Sequence, residues 1–420
     1  MSRVYIRPSK LQGTASPPPS KSAAHRVILC AGLASGTSKL SPIGTSVDMA
    51  ATIGCIRTLG AATSRRGDTL TVTGIQTPKT PVTLDCAESG STLRFLIPVV
   101  AALGVTATFT GHGRLPQRPL GIYLDLLPEH GVRCKTEGGL PLTVSGRLEP
   151  GIYSLPGNVS SQFITGLLFA LPLLPGGSEI RLFTPLQSAA YVDMTIHILK
   201  QFGIRIIHTG TGWKVPGGQH YCACTAAVER DWSQAAFLLT AGALNSEISL
   251  TGLSAASTQG DRAIEPLLRR FGADICWQNN VLTAKPGPLH GFDIDVSQIP
   301  DLAPVLAVAG TFAQGRTRLL NGARLRLKES DRIAAMHRMV ESLGGRAEET
   351  DDSLVIHGSP LSGGIVDGCN DHRIVMAAAI AGLCTQGPVT ITDGQAIQKS
   401  WPEFFSVYQS LGGNVDVYVG

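Results

Sequence analysis

Six almost wholly apolar stretches recur along the chain, and each follows a short polar cluster. A helix that is apolar all round must be buried on all sides, so this pattern predicts six buried helices. The apolar stretches cover residues 23–34, 92–103, 162–171, 234–244, 302–312 and 372–383. The polar clusters stand at intervals of 68 to 72 residues, at Ser22, Ser91, Ser161, Ser233, Asp301 and Asp371. Self-similarity at a fixed period indicates a repeat architecture.

Glycines repeat with the same period. Each of them ends a predicted helix and precedes a strand-like run, and the intervals are again 68 to 72 residues. A glycine just past a helix adopts the left-handed conformation that other residues resist. The six positions are Gly60, Gly131, Gly203, Gly272, Gly344 and Gly412.

Each repeat therefore contains a buried helix, strands, a hairpin and an amphipathic second helix, such as residues 192–202, within roughly 70 residues. The last repeat stops at Val419 after one strand, whereas an extra strand at residues 4–8 precedes the first buried helix. We expect this N-terminal strand to complete the sixth repeat.

Three repeats per domain give the simplest division of the chain. It predicts a continuous domain at residues 20–229 and a second domain assembled from residues 1–19 and 230–420. The chain would cross between the domains near residues 20 and 230, which predicts a hinge there.

Composition limits the classes of partner. Thirty-five Lys and Arg against 31 Asp and Glu give a net charge of +4, and aromatic residues make up 5%, so neither nucleic acid nor a membrane surface is expected as a partner. The nine cysteines are scattered and odd in number, which indicates a reducing compartment and hence the cytoplasm. Cys222 and Cys224 form a lone C-x-C pair, so we predict no metal.

Cations stand beside the predicted helix starts. A helix N-terminus carries a partial positive charge and unpaired N–H groups, so it attracts anions and disfavours cations. Repeated cations at such positions indicate that negatively charged ligands bind there. The cations are Lys21, Arg26, Arg94, Arg118, Lys328, Arg332, Arg373 and Lys399. No G-x-x-x-x-G-K-[ST] loop is present, which argues against a nucleoside triphosphate.

In this order, these motifs closely resemble those of the EPSP synthases, a family of enolpyruvyl transferases. The resemblance spans the chain and all six repeats. It implies a two-domain, inside-out α/β barrel built from six α/β repeats with buried helices. The matching segments are residues 19–22 with Arg26, 89–94, 117–119, 160–162, 299–301, 328–332 and 370–373 with Lys399.

The resemblance implies that a monomeric enzyme without cofactor binds two small anions, shikimate 3-phosphate and phosphoenolpyruvate. The residues implied for shikimate 3-phosphate are Ser22, Arg26, Ser160, Ser161, Gln162, Ser188, Tyr191, Asp301 and Lys328. Those implied for phosphoenolpyruvate are Lys21, Gly90, Arg118, Gln162, Arg332, Arg373 and Lys399, with His372 and Glu88 as supporting residues.

It also implies an addition followed by an elimination. The 5-hydroxyl of shikimate 3-phosphate attacks C2 of phosphoenolpyruvate while C3 is protonated, and phosphate then leaves as C3 loses a proton. The resemblance points to Lys21 and Glu329 as the acid and base at C3, with the order of their roles open, and to Asp301 as the carboxylate facing the hydroxyl. Closure of the two domains would exclude water.

Four positions depart from the commonest family pattern, namely Pro19, Glu88, Ser91 and Arg324. They leave sensitivity to glyphosate, the family inhibitor of the phosphoenolpyruvate pocket, open.

Two other functions explain the pattern less well. The UDP-N-acetylglucosamine enolpyruvyl transferases use a loop cysteine, and the loop at residues 111–119 has none. A non-catalytic anion-binding repeat protein has no use for Asp301 and Glu329 among its cations.

Overall fold

The computed structural model describes residues 2–418 of the 420-residue chain. The α-helices among these residues are α1 Lys21–Leu33, α2 Val47–Leu59, α3 Gly90–Ala102, α4 Gly121–Leu126, α5 Ser161–Ala170, α6 Ala189–Gln201, α7 Trp232–Leu244, α8 Ile264–Phe271, α9 Ala303–Phe312, α10 Arg332–Ser342, α11 His372–Ala381 and α12 Phe404–Ser410.

The strands in the first half are β1 Arg3–Arg7, β2 Gly13–Ala15, β3 Thr37–Ser41, β4 Ala62–Arg66, β5 Thr69–Thr73, β6 Val82–Asp85, β7 Ala107–Thr110, β8 Val132–Lys135, β9 Leu142–Gly146, β10 Ile152–Leu155, β11 Ser178–Leu182, β12 Ile207–Thr209 and β13 Gly212–Val215. Those in the second half are β14 Thr225–Ala227, β15 Ile248–Leu250, β16 Asp274–Gln278, β17 Val281–Lys285, β18 Asp293–Asp295, β19 Arg316–Leu320, β20 Arg346–Glu349, β21 Leu354–His357, β22 Gly364–Val366, β23 Val389–Ile391 and β24 Asn414–Tyr418.

The strands form six sheets of four, and all six share one plan. In the third repeat β10 and β11 are parallel and flank the buried helix α5, and the hairpin β12–β13 adds two antiparallel strands in the order β10-β11-β13-β12. The plan recurs in the fifth repeat as β18-β19-β21-β20. The predicted sixfold α/β repeat is therefore confirmed.

The N-terminal strand completes the sixth repeat, as expected. β1 lies between β23 and β24, with Val4 opposite Ile391 and Ile6 opposite Val415. Val4 and Ile6 are fully buried.

Two strands exchange positions, which the sequence analysis missed. β2 precedes α1 in the chain but pairs in parallel with β15 of the fourth repeat, and β14 precedes α7 but pairs in parallel with β3 of the first repeat. Each is only three residues long. Such a strand is too short to show an alternating pattern, so nothing local predicted the exchange.

The chain forms two compact units. The continuous unit is Pro19–Val228, and the split unit joins Met1–Pro18 to Glu229–Gly420. In the continuous unit α3 packs on α5, and α1 packs on α2 and α6; in the split unit α7, α9 and α11 pack on one another. No helix in the part of the chain that the structure describes is long and apolar enough to cross a membrane.

Helix ends explain the repeated polar and glycine positions. All six predicted glycines adopt positive φ angles, between 80° and 119°. The capping side chains, however, stand slightly before several of the polar positions that mark the period, because the cap must accept a hydrogen bond from an amide two or three residues later. They are Ser20, Ser89, Ser160, Asp231 and Asp371, whereas α9 has Leu302 at this position and no side-chain cap.

Candidate active site

Lys21 is the first residue of α1, and an acid orients its side chain. The Nζ atom lies 3.0 Å from Oδ2 of Asp48, in the first turn of α2. The side chains of Lys21 and Asp48 keep 17% and 11% of their exposure, so this pair remains open to a small ligand. No motif in the sequence indicates a role for Asp48.

Arg26 lies one turn further along α1 and is buried against neutral acceptors. Its guanidinium donates to Oγ1 of Thr195 at 2.8 Å, to the carbonyl of Ser22 at 2.7 Å and to the carbonyl of Tyr191 at 3.1 Å. It also lies 5.2 Å from the ring centre of Phe95. Burial lowers the pKa of Arg26 to about 10. The structure therefore brings Arg26, Ser22 and Tyr191 together.

Gly90 and Arg118 are also close together. Gly90 begins α3, and Arg118 follows the short 3-10 helix Leu115–Gln117. A Cβ atom added to Gly90 would lie 2.5 Å from Nη1 of Arg118, inside contact distance. The buried Arg118 guanidinium thus occupies space that only glycine leaves at the start of this helix.

Gln162 is held from both ends of its amide. Its Oε1 accepts from Nη1 of Arg94 at 2.6 Å, and its Nε2 donates to Oγ of Ser91 at 3.0 Å. Arg94 also donates to the carbonyl of Pro119 at 2.9 Å. In the sequence Arg94 stands beside a helix start without an implied role. Its position on α3, one turn after Gly90, was the available signal.

The remaining serines lie at helix starts in the same unit. Ser160 caps α5, accepting from the amide of Gln162 at 3.3 Å, and the adjacent Ser161 is buried. Ser188 is buried before α6 with a left-handed φ of 57°. Glu88 lies against Gly113, where an added Cβ would meet its carboxylate at 2.1 Å.

A chain of buried hydroxyl groups links the starts of α1, α2 and α3. Nδ1 of His25 is 2.7 Å from Oγ1 of Thr52, which is 2.7 Å from Oγ1 of Thr92, which in turn donates to Oγ of Ser89 at 2.7 Å. Burial, reinforced by the charges of Lys21 and Arg26, lowers the pKa of His25 well below its usual value. A neutral His25 therefore helps to fix the helix starts.

In the split unit, Asp301 is the hub of an ionic network. Its carboxylate accepts from Arg332 and Arg373 at 2.9 Å each and lies 3.5 Å from Nζ of Lys328. Burial alone would raise the pKa of Asp301, but the charges of Arg373, Lys328 and Arg332 lower it well below its usual value. Asp301 is therefore ionised at neutral pH.

Arg332 bonds to three carboxylates. It donates to Asp371 at 2.9 Å, to Asp301 at 2.9 Å and to Glu329 at 2.7 Å, and only 1% of its side chain is exposed. Burial acts against its charge, but Asp371, Glu329 and Asp301 together raise the pKa of Arg332. The Glu329 side chain is 22% exposed.

Lys328 and Lys399 complete the cationic side of this cluster. Burial lowers the pKa of Lys328 to about 8, although the charge of Asp301 opposes the shift. Nζ of Lys399 donates to the carbonyl of Asn370 at 2.5 Å, just ahead of α11. The adjacent His372 is 2% exposed. The structure thus gathers Asp301, Lys328, Arg332 and Arg373 in one unit.

The acids in the described part of the chain do not converge on a metal. Among residues 2–418, no group of three or more His, Cys, Asp or Glu side chains has an arrangement that could hold a metal ion.

A family model described as EPSP synthase (3-phosphoshikimate 1-carboxyvinyltransferase) matches residues 6–408. The chain is 43% identical over 427 residues to the 3-phosphoshikimate 1-carboxyvinyltransferase of Clostridium kluyveri and 40% identical over 431 residues to that of Clostridioides difficile, covering 99% of each chain. A solved structure of EPSP synthase from Acinetobacter baumannii superposes with a TM-score of 0.84 at 26% identity over 100% of both chains. The enolpyruvyl transferase NikO from Streptomyces tendae, 19% identical with a TM-score of 0.82, shows the same fold.

Proposed function

Because the chain belongs to the EPSP synthase (3-phosphoshikimate 1-carboxyvinyltransferase) family, we propose that the residues gathered in its two units transfer the enolpyruvyl group of phosphoenolpyruvate to the 5-hydroxyl of shikimate 3-phosphate. The products are 5-enolpyruvylshikimate 3-phosphate and inorganic phosphate. The chain is thus a transferase of the shikimate pathway.

One observation carries the assignment of roles: the ionised Asp301 lies between two arginines and a lysine, beside the partly exposed Glu329. Both substrates carry a phosphate and a carboxylate, which guanidinium groups bind with two parallel hydrogen bonds. Carboxylates placed among such cations can move a proton or orient a hydroxyl.

For shikimate 3-phosphate, we propose that Arg26 supplies the positive charge for the phosphoryl group. Its present acceptors, a hydroxyl and two carbonyls, are neutral, so its charge is available to an anion. Hydroxyl and amide groups around it would complete the binding. The full set comprises Ser22, Arg26, Ser160, Ser161, Gln162, Ser188, Tyr191, Asp301 and Lys328.

For phosphoenolpyruvate, we propose that Arg118 and Lys21 bind from the continuous unit. Gly90 leaves the space in which the Arg118 guanidinium lies. In the split unit Arg373 would exchange part of its bonding to Asp301 for the ligand. The full set comprises Lys21, Gly90, Arg118, Gln162, Arg332, Arg373 and Lys399, with His372 and Glu88 in support.

In the chemical step, the 5-hydroxyl donates a hydrogen bond to the Asp301 carboxylate and gives up its proton to it as the hydroxyl oxygen attacks C2 of phosphoenolpyruvate. The pKa of Asp301 is held low by its cations, so this residue orients the hydroxyl as a carboxylate. Lys21 and Glu329 deliver a proton to C3 during addition and remove one during elimination, when the C2–O bond to phosphate breaks. Proton transfer of this kind contributes roughly 10² to 10⁴ in rate.

A coupled phosphate-release assay tests the acceptor. We expect release from phosphoenolpyruvate when shikimate 3-phosphate is added and none with UDP-N-acetylglucosamine. Release with UDP-N-acetylglucosamine alone would assign the chain to the rival transferase instead, and release with neither acceptor would leave only anion binding.

Matched substitutions test the residue roles in the same assay. Lys21→Met and Glu329→Gln should each lower kcat by roughly 10² to 10⁴. The controls are Lys39→Met and Glu348→Gln, which should keep full turnover. Lys39 lies on the exposed face of β3, and Glu348 is an exposed partner of Arg346. Near-normal turnover in both Lys21→Met and Glu329→Gln would refute the assignment.

We also propose a cytoplasmic monomer. All nine cysteines are free thiols, which suits a reducing compartment.

A further inference from the structure

The starts of four of the buried helices each meet a residue 27 to 29 positions later in the chain. In three of these pairs both members already have proposed roles or lie beside residues that do. The exception is the fourth repeat, whose pair has no role so far. The pairs joined by hydrogen bonds are Lys21–Asp48, Ser233–Asp261, Asp301–Lys328 and Asn370–Lys399.

The fourth repeat presents its pair at the same end of the split unit as the ionic network. Nε2 of Gln234, in the first turn of α7, donates to Oγ of Ser400 at 2.6 Å, next to Lys399. At the neighbouring helix start, Arg373 of α11 bonds to Asp301 before α9. These two bonds, with the packing of α7, α9 and α11 on one another, place the three helix starts at one end of the unit.

A short loop holds Asp261 rigidly at this end. Gln259 accepts from the amide of Trp232 at 3.1 Å and donates to the carbonyl of Arg230 at 2.7 Å, which fixes the loop to the first turn of α7. Ser233 donates from its hydroxyl to the carboxylate of Asp261, which is 2% exposed. A group fixed in this way keeps its distance from its neighbours.

The electrostatic surroundings of Asp261 include the proposed active-site charges. The pKa of Asp261 is raised to about 6, chiefly by burial and also by the charge of Asp301, while the charge of Arg373 opposes the shift. The hydroxyl of Ser233 also opposes it, and the charge of Asp231 adds to it. Asp261 therefore lies within electrostatic reach of Asp301 and Arg373.

We propose that Asp261 is a positioning residue of the fourth repeat, whose carboxylate competes with bound phosphoenolpyruvate for the charge of Arg373. This inference rests on the proposed function. When Asp261 is ionised it weakens the attraction of Arg373 for the ligand, and when it is protonated this competition ends. Asp261 thus keeps the substrate from being held too tightly at neutral pH.

The test compares the wild type with Asp261→Asn, which keeps the shape and removes the charge. At about pH 7.5 the substitution should lower KM for phosphoenolpyruvate about three- to tenfold, because the repelling charge is gone. At about pH 5 the wild-type carboxyl is mostly protonated, so the two proteins should converge. Titration of the ligand itself cancels in the comparison.

Glu265→Gln is the matched control. Glu265 is a buried acid of the same repeat, bonded to Arg269 at 2.8 Å and to Nε1 of Trp277 at 3.1 Å. Its loss should reduce stability and leave KM for phosphoenolpyruvate equal to wild type at both pH values. An unchanged KM in Asp261→Asn, or a shift of equal size at both pH values, would overturn the proposal.

Calorimetric titration with phosphoenolpyruvate separates this proposal from the proposed function. Absence of phosphate release by the wild type would reject the enzymatic function alone. The ratio of the affinities of Asp261→Asn and wild type would still decide the role of Asp261. A ratio that falls to 1 at about pH 5 supports the proposed role, and a ratio that does not change with pH rejects it.

Discussion

The two units hold several of their buried arginines in different ways. In the continuous unit, the buried Arg26 donates to a hydroxyl and two carbonyls, and Arg94 donates to an amide oxygen and a carbonyl. In the split unit, Arg332 and Arg373 bond to carboxylates, with Asp301 between them. Neutral acceptors fix the geometry of a guanidinium but do not balance its positive charge, whereas carboxylates do both.

This difference separates two tasks. A site that keeps its positive charge is ready to bind a dianion, and it bears the cost of a buried cation until the ligand arrives. A neutralised site is stable by itself but must exchange partners to bind. We infer that the continuous unit mainly binds substrate, while the split unit supplies carboxylates poised for proton transfer and hydroxyl orientation.

The largest expected effect comes from removing one charge from the neutralised cluster. Asp371→Asn keeps a capping side chain on α11 but leaves Arg332, which is 1% exposed, with one anionic partner fewer. Loss of one member of a buried ion pair costs about 3 kcal/mol or more. Arg26→Met in the continuous unit removes no carboxylate pairing and should cost at most about 2 kcal/mol. Urea unfolding measures both.

The exposed pair between Asp293 and Arg318 provides the control for that comparison. Both side chains are well exposed, and surface pairs contribute little, so Asp293→Asn should not move the urea midpoint measurably. Equal destabilisation by Asp371→Asn and Arg26→Met would show that the two clusters are held alike.

The next largest effect is expected from acidification, which should change the stability of the two units in opposite directions. His25, buried and neutral, does not take up the proton that its unfolded form accepts near pH 6.5, so the continuous unit loses stability as pH falls below that value. In the split unit, the pKa of Asp261 is about 6 in the folded protein and about 3.9 in the unfolded chain. The folded form therefore binds a proton first as the pH falls, and this group adds stability on acidification. The lowered pKa values of Asp301 and Asp371 cost stability only below about pH 3.9.

Hydrogen exchange measures the two units separately. After correction for intrinsic rates, protection of α3 should fall between about pH 7 and pH 4.5 while protection of α9 should hold or rise. His25→Asn should remove most of the fall in α3. Parallel losses of protection in α3 and α9 would contradict the assigned pKa directions.

The sequence predicted the repeat because its signals are local. An apolar helix and the glycine that ends it lie within one repeat, so their period could be read without any long-range contact. The exchange of β2 and β14 could not be read in this way, because each pairs with a strand about two hundred residues or more away in the chain. Short strands carry too few residues to show which sheet they join.

The difference between arginines held by neutral acceptors and arginines held by carboxylates could not be predicted from the sequence either. In the sequence, Arg26 and Arg332 both look like an arginine beside a helix start. Arg332 differs because its partners Asp371 and Asp301 lie 39 and 31 positions away in the chain, and Asp371 belongs to the next repeat. Polar clusters therefore predicted where cations stand, and only the fold revealed what holds them. The substrate-binding roles themselves stay predictions.

The smallest expected effect concerns the fit of the Arg118 guanidinium against Gly90 in the continuous unit. In Gly90→Ala the added methyl would lie 2.5 Å from Nη1 of Arg118, so the guanidinium must move. Because Arg118 is the end of a flexible side chain, folding should be nearly unaffected. KM for phosphoenolpyruvate should rise about tenfold, equivalent to about 1.4 kcal/mol of binding, in steady-state assays.

Gly54→Ala is the control for helix propensity, since Gly54 lies within α2 of the same unit with no atom within 4 Å of an added Cβ. It should raise stability by up to about 1 kcal/mol and leave KM unchanged. If Gly90→Ala bound phosphoenolpyruvate as the wild type does, the placement of Arg118 would not matter for the ligand.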